Sequence, residues 1–165
     1  MSYKFGSFNV HNFSWRADKK KLEGITKIIK GEQFDIIALQ EVLDENAVKK
    51  LVGLLGTKYS YKWREPGKGG NTSTAGDKRG EGFAFIWRND RMKIPDVPSP
   101  DGKQPLNPRI LTSEMGYSGH RFARTPFYAV FVPVNGGNFE FRFVNVHLYY
   151  GDTSTDEVRK RKMKT

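Results

Sequence analysis

Four polar residues stand at the expected ends of apolar segments in this 165-residue chain: Asn9, Glu41, Glu81 and His147. A strand end holds a side chain firmly and still lets it reach solvent. Polar groups at several strand ends therefore favour one site at one edge of a sheet. An imidazole can donate or accept a proton near pH 7, so His147 is the acid–base candidate of the set.

The two acidic residues and the amide suit phosphodiester hydrolysis with a hard divalent cation. That reaction needs a carboxylate for the metal, donors for the phosphate oxygens, an acid and a base. Glu41 follows a nearly continuous apolar run and is the metal candidate, while Asn9 can ligate a metal-bound water or donate to phosphate. Each has a structural alternative: Glu41 as a residue at the entry to a helix capped by Asp44, and Asn9 as a turn residue.

Glu81 opens the strand segment that follows it and is a candidate partner for His147. A carboxylate against one imidazole nitrogen fixes the tautomer and orients the ring. This pairing requires the strands that carry the two residues to be neighbours. The alternatives are a histidine with a purely structural role and a solvated loop charge beside Arg79.

Basic residues supply candidates for substrate binding. Arg124 precedes a strand segment and can clamp a phosphate with two hydrogen bonds. Lys78 and Arg79 lie in a basic, glycine-rich loop, residues 68–79, that can follow a phosphate backbone. The alternatives are a surface cation and a solvated loop. We assign no role to His11 or His120, and we interpret Asp152 as turn and cap chemistry.

The first third of the chain predicts a β-α-β-α unit with a parallel pair of strands, over residues 4–10 and 34–39. Asp18 and Asp44 are the expected caps of the two helices. Apolar residues at helical spacing predict the buried faces: Leu22, Ile25, Ile28 and Ile29 in the first helix, and Val48, Leu51, Val52 and Leu55 in the second.

The remainder predicts an antiparallel arrangement. Strands are expected over residues 59–63, 82–88, 127–132 and 139–147, with a hairpin turn at 135–138. Residues 89–108 contain five prolines and are expected to be mostly irregular. A helix is expected to begin near Asp156.

Composition limits the classes of partner and compartment. The chain has the length of one domain, residues 1–165, and no cysteine, so thiolate metal sites and disulfides are excluded. No segment approaches the ~20 apolar residues of a membrane span, and the compartment stays unknown. The formal net charge of +10 favours a polyanionic partner, most commonly nucleic acid.

The ordered set of these segments resembles the endonuclease/exonuclease/phosphatase superfamily, the DNase I-like fold. The segments are Phe8-Asn9-Val10, Asp35-Ile36-Ile37-Ala38-Leu39-Gln40-Glu41-Val42, Glu81-Gly82-Phe83-Ala84-Phe85-Ile86-Trp87, Arg124-Thr125-Pro126 and Asn145-Val146-His147-Leu148. The resemblance implies an α/β fold, of the α+β sandwich type, in which helices cover the outer face of a mixed sheet. It covers the N-terminal part of the family's single domain, so the second sheet is expected to be largely missing.

Roles follow from the resemblance residue by residue. Glu41 matches the metal-binding Glu, and Asn9 the first-strand Asn beside metal and phosphate. His147 matches the family's first histidine, Glu81 the acid that orients it, and Arg124 an Arg that contacts phosphate or substrate. The implied cofactor is Mg²⁺, with Mn²⁺ or Ca²⁺ as alternatives. The loop after Trp63 matches a region that contacts nucleic acid in the nucleases.

The implied activity is that of a metal-dependent phosphodiesterase, with a nuclease favoured and DNA favoured over RNA as its substrate. A phosphoinositide or sphingomyelin phosphatase or phosphodiesterase and a non-catalytic nucleic-acid-binding protein or truncated remnant are the alternatives. The family's Gly-Asp-x-Asn segment and closing Asp-His pair do not occur in the sequence. We therefore expect little or no activity from this chain alone. We also expect an uncovered inner sheet face that favours self-association, including residues such as Phe83, Phe85, Phe141 and Phe143.

Overall fold

The computed structural model describes residues 2–65, 81–97, 107–110, 126–136 and 139–147. Within them the elements run in the order β1 (Phe5–Phe13), α1 (Lys19–Glu32), β2 (Ile36–Val42), α2 (Glu45–Leu55), β3 (Tyr59–Arg64), β4 (Gly82–Arg88), β5 (Met92–Lys93), β6 (Arg109–Ile110), β7 (Phe127–Pro133) and β8 (Phe141–Asn145). The helix expected near Asp156 lies outside the described residues.

The first sheet has four strands in the order β1-β2-β4-β3. The β1–β2 pair is parallel, as the β-α-β pattern predicts, and the other two pairs are antiparallel. β2 and β4 are central, and nearly every side chain on them is buried because layers cover both faces. This accounts for their continuous apolar sequences.

Both helices pack on the outer face of this sheet and begin at the predicted caps. The Asp18 carboxylate accepts from the Lys21 N–H at 2.7 Å, and the Asp44 carboxylate accepts from the Ala47 N–H at 2.9 Å. The buried faces are narrower than predicted, since Ile28 is 45% exposed. Leu22 and Val52 are only partly buried.

The second sheet is present in part and covers the inner face of the first. β7 pairs with the short strands β5 and β6 and also with β8. Phe83 and Phe85 of β4 are therefore buried against β7 and β8, where Phe85 contacts the rings of Phe127 and Phe131. The expected exposure of this face is wrong for Phe83 and Phe85.

The two β8 phenylalanines, Phe141 and Phe143, are also partly buried. Their rings meet Phe5 of β1 at centroid distances of 4.7 and 5.0 Å. The inner face is therefore covered at Phe83 and Phe85 and partly covered at Phe141 and Phe143, and self-association stays a prediction.

Asn145 at the end of β8 connects the two sheets. Its side chain is buried, and its amide N–H groups donate to the carbonyl oxygens of Leu39 and Ala84 at 2.9 and 3.2 Å. Its Oδ1 accepts from Nε2 of Gln40 at 2.7 Å. One side chain thus ties β8 to β2 and β4, two residues before His147.

Among the helices of the described residues, none has the length and apolar character needed to cross a bilayer.

We expect Asn145→Ala to lower the free energy of unfolding by about 3 kcal/mol, measured by urea denaturation. The substitution removes three buried hydrogen bonds, each of which contributes about 0.5–1.5 kcal/mol. Asn89→Ala is the control, because it removes one exposed hydrogen bond to the Thr57 carbonyl, and it should cost about 1 kcal/mol or less. Equal losses for the two variants would contradict the bridging role of Asn145.

Candidate active site

Backbone irregularities in β1 and β2 shape the candidate site. The β1–β2 register shifts between Asn9 and Phe13, and the β2–β4 register shifts between Gln40 and Val42. Three non-glycine residues here have left-handed backbone: His11 at φ 47°, Asn12 at 50° and Glu41 at 59°. Such conformations cost of order 1–3 kcal/mol each and persist only where the surroundings hold them.

Buried neighbours hold these conformations in place. Val10 and Phe13 are buried on either side of His11 and Asn12, and Gln40 and Val42 are buried on either side of Glu41. The bulges therefore turn the intervening residues out of the regular strand pattern while the chain on both sides stays in the core.

The Glu41 carboxylate receives hydrogen bonds from β1. Asn9 Nδ2 donates to Oε1 at 2.7 Å, and the backbone N–H of Asn12 donates to Oε2 at 3.0 Å. His11 Nδ1 lies 3.4 Å from Oε2, although its own side chain is 84% exposed. The Glu41 side chain is only 13% exposed, so this carboxylate is enclosed and oriented.

The electrostatic balance keeps Glu41 ionised. Partial burial acts to raise its pKa, but the hydrogen bonds from Asn9 and the Asn12 backbone and the nearby His147 and His11 together hold the pKa below its usual value. Because a carboxylate with a lowered pKa is charged at neutral pH, Glu41 is available as an anionic ligand.

His147 faces two acidic residues through its two ring nitrogens. Nδ1 lies 2.7 Å from Oε2 of Glu81, while Nε2 lies 3.7 Å from Oε1 of Glu41. Asn9 Nδ2, a donor, is 3.5 Å from Nε2. The Nδ1 proton is donated to Glu81, while Nε2 faces both the Glu41 carboxylate and the Asn9 amide.

A buried polar layer lies beneath these residues. Gln40 Nε2 donates to Asn145 Oδ1 at 2.7 Å and approaches Ser7 Oγ at 3.1 Å. Gln40 immediately precedes Glu41, and Asn145 precedes His147 by two residues. The hydrogen bond between them therefore sets the spacing of the strand ends that carry Glu41 and His147.

The structure brings together four of the predicted site residues, Asn9, Glu41, Glu81 and His147. The geometry differs from the expectation of one sheet edge, since β4 and β8 belong to different sheets and face each other across the sandwich. β8 also ends at Asn145, so His147 follows the strand instead of lying within it. Arg124, Lys78 and Arg79 lie outside the described residues.

Sequence reasoning missed several residues that contact or support the site. The Asn12 N–H contacts Glu41 because of the bulge in β1, which no residue pattern predicts. The same bulge brings His11 close to Glu41. Gln40 and Asn145 did carry a signal. Each is a polar residue within an otherwise apolar strand segment, which in a buried strand requires a hydrogen-bond partner.

The donor set fits a hard divalent cation. Glu41, Glu81 and His147 each offer a ligand atom, and these atoms lie within 4.8 Å of one another. Mg²⁺ is commonly held by one or two carboxylates while it keeps several waters. Since Glu81 is engaged with His147 Nδ1, Glu41 is the carboxylate best placed to hold such an ion.

Residues 6–151 match the sequence profile of the endonuclease/exonuclease/phosphatase family. The chain belongs to this family. Its members are hydrolytic enzymes, nucleases and phosphatases, and the superfamily is metal-dependent. The fold and the acidic and histidine cluster agree with that membership.

Among curated proteins, the chain is 26% identical over 162 residues to a deoxyribonuclease of Thioalkalivibrio sp. (strain K90mix), covering 95% of this chain and 38% of the relative. The mannosyl-6-phosphatase of Bacteroides thetaiotaomicron VPI-5482 has a TM-score of 0.53 at 20% identity, over 99% of this chain and 59% of that one. Humanized D. rerio TDP2 has a TM-score of 0.54 at 15% identity, over 96% of this chain and 51% of that one. The two structures support the fold, and the chain spans about two fifths to three fifths of these relatives.

We expect ¹⁵N–¹H correlation spectra at neutral pH to show the His147 proton on Nδ1, because Glu81 accepts from it. Glu81→Gln should turn this into a mixture of tautomers, since a neutral amide can either accept or donate. Glu140→Gln, an exposed substitution on the segment before β8, should leave the spectrum unchanged. A dominant Nε2–H tautomer in the unmodified protein would contradict the assigned hydrogen bond.

Proposed function

We propose that this chain carries the Glu41 and His147 part of the active site of a metal-dependent phosphodiesterase that acts on nucleic acid. The observation that carries the proposal is the cluster itself: an ionised, enclosed carboxylate beside an imidazole that a second carboxylate orients. Each element matches a requirement of phosphoester hydrolysis.

Glu41, held by Asn9 and the Asn12 backbone, is the proposed metal ligand. A divalent cation bound there supplies Lewis-acid stabilisation of charge on the phosphate. The fixed hydrogen bonds keep the carboxylate in one orientation, so little reorganisation is needed when the ion and substrate bind.

His147 and Asn9 are the proposed contacts to the substrate phosphate. The carboxylate of Glu81 holds the imidazole in one orientation, from which an Nε2–H group can donate to a phosphoryl or leaving oxygen. The Asn9 amide is close to the same nitrogen and is a second donor. Arg124, Lys78 and Arg79 stay predicted substrate contacts.

Nucleic acid is the substrate class that we favour. The net charge of +10 suits a polyanion, and the curated relative is a deoxyribonuclease. The proposed substrate is DNA in preference to RNA, and the proposed ion is Mg²⁺. Phosphoinositides and sphingomyelin are the competing substrates within the family.

We expect Mg²⁺ or Mn²⁺ to strengthen binding of the 165-residue chain to a short DNA duplex at constant ionic strength, measured by fluorescence anisotropy. Glu41→Gln should abolish this metal dependence, because it removes the anionic ligand, and should leave the salt-dependent binding that comes from cations. Glu140→Gln removes an exposed carboxylate paired with Arg142 and should preserve the metal dependence.

Anionic vesicles that contain a phosphoinositide or sphingomyelin form the second arm of this experiment. Metal-dependent binding to those vesicles, and not to DNA, would favour a lipid substrate. DNA affinity that ignores both the metal and Glu41→Gln would overturn the enzymatic proposal in favour of a non-catalytic binding protein.

We expect the 165-residue chain to nick supercoiled plasmid in Mg²⁺ slowly or not at all, because the sequence lacks the family's Gly-Asp-x-Asn and Asp-His segments. Gel electrophoresis detects a single nick per plasmid and is sensitive enough to decide this. Robust nicking that His147→Ala abolishes would show the site to be sufficient as it stands. Nicking that His147→Ala leaves unchanged would contradict the role proposed for His147.

A further inference from the structure

Trp15 is the most exposed large apolar side chain of the described residues, at 53%. It lies between β1 and α1, in a segment where the Ala17 N–H donates to the Ser14 carbonyl at 2.9 Å. Trp15 belongs to neither of the two buried cores. About half of this side chain is therefore open to solvent.

The backbone on either side of this ring is anchored. The Trp15 N–H donates to the Asp44 carboxylate at 2.7 Å, and the Trp15 carbonyl accepts from Lys50 Nζ at 2.7 Å. Asp44 is also the cap of α2, so one carboxylate positions both the helix and the tryptophan. A ring on an anchored backbone loses less conformational entropy when a ligand stacks on it.

Two cations lie over the ring. The Arg16 guanidinium is 5.1 Å from the ring centroid, and Lys50 Nζ is 5.8 Å from it. The first turn of α1 contains lysines and no acidic residue, although the helix dipole favours acidic residues there. An aromatic ring flanked by cations is the combination that binds single-stranded nucleic acid, in which bases stack and phosphates pair with the cations.

The position of Trp15 relative to the candidate site follows from the chain. Trp15 is three residues beyond Asn12, whose N–H donates to Glu41. The Trp15 N–H donates to Asp44, which is three residues beyond Glu41. Three residues span at most about 11 Å. At a rise of about 3.4 Å per base, this limit is equal to roughly three bases along a strand.

We propose that Trp15, with Arg16 and Lys50, forms a stacking platform for an unpaired nucleobase close to the phosphodiester that occupies the Glu41–His147 site. The inference rests on the proposed function and specifies the form of its substrate. A base within a duplex has both faces covered by its neighbours, so this platform selects single-stranded or locally opened nucleic acid.

The test compares two single strands of equal length and equal phosphate number, a 12-nucleotide oligothymidylate and its abasic counterpart. Binding to the full 165-residue chain is measured in EDTA, which prevents hydrolysis, by anisotropy and by tryptophan fluorescence. We expect the oligothymidylate to bind more tightly than the abasic strand and to quench the emission. Trp15→Phe should identify the quenched residue, because Trp87 is buried and Trp63 is partly buried.

Trp15→Ala should weaken oligothymidylate binding by about 5- to 150-fold, the range expected for one lost stacking contact. It should leave abasic binding almost unchanged, so that the difference between the two strands disappears. Trp15→Phe should retain most of that difference. Leu54→Ala, which removes another exposed apolar side chain, should alter neither affinity, and thermal denaturation checks that every variant is folded.

If Trp15→Ala lowers the affinity for both strands equally, or for neither, the stacking platform is overturned. If Trp15→Ala weakens binding only to anionic vesicles, measured alongside the two strands, the platform is also overturned and the surface is assigned to a membrane. These outcomes are separate from those for Glu41→Gln, because EDTA removes the metal. Base-dependent binding with no metal-linked binding would retain the platform and refute the phosphodiesterase site.

Discussion

The candidate site depends on a buried polar connection between two sheets that also pack through apolar side chains. Asn145 donates to carbonyl groups of β2 and β4 and accepts from Gln40, all within a buried environment. Because buried polar groups are costly without partners, this arrangement tolerates little displacement. Gln40 and Asn145 adjoin the segments that carry Glu41 and His147, so the same bonds that align the sheets align the candidate site.

Local strain and burial act together at the ends of β1 and β2. Left-handed backbone at Asn12 and Glu41 is unfavourable by itself, yet it directs an N–H group towards a carboxylate. Buried apolar residues on both sides of each bulge hold the conformation. The result is a charged group with several donors at the rim of an apolar sandwich, which is suited to binding a cation and a phosphate.

Aromatic packing provides the rigid support for this polar rim. Phe85 of β4 meets Phe127 and Phe131 of β7, and Phe143 of β8 meets Phe5 of β1. The Phe85–Phe131 and Phe143–Phe5 contacts are edge-to-face, a geometry that is directional as well as apolar, so they help to fix how the sheets pack on each other. The exposed Trp15 is the contrasting case, an aromatic ring that the chain anchors outside both cores.

Local patterns in the sequence determined the helix caps at Asp18 and Asp44, the buried strands β2 and β4 and the four residues that converge on the site, because these depend on near neighbours and on periodicity. The tertiary structure decided what depends on distant contacts. It paired Glu81, next to a strand of the first sheet, with His147, which follows a strand of the second. It also buried Phe83 and Phe85 and brought Asn12 and His11 close to Glu41. Bulges and sheet-to-sheet packing arise from the balance of the whole core, which no short stretch of residues encodes.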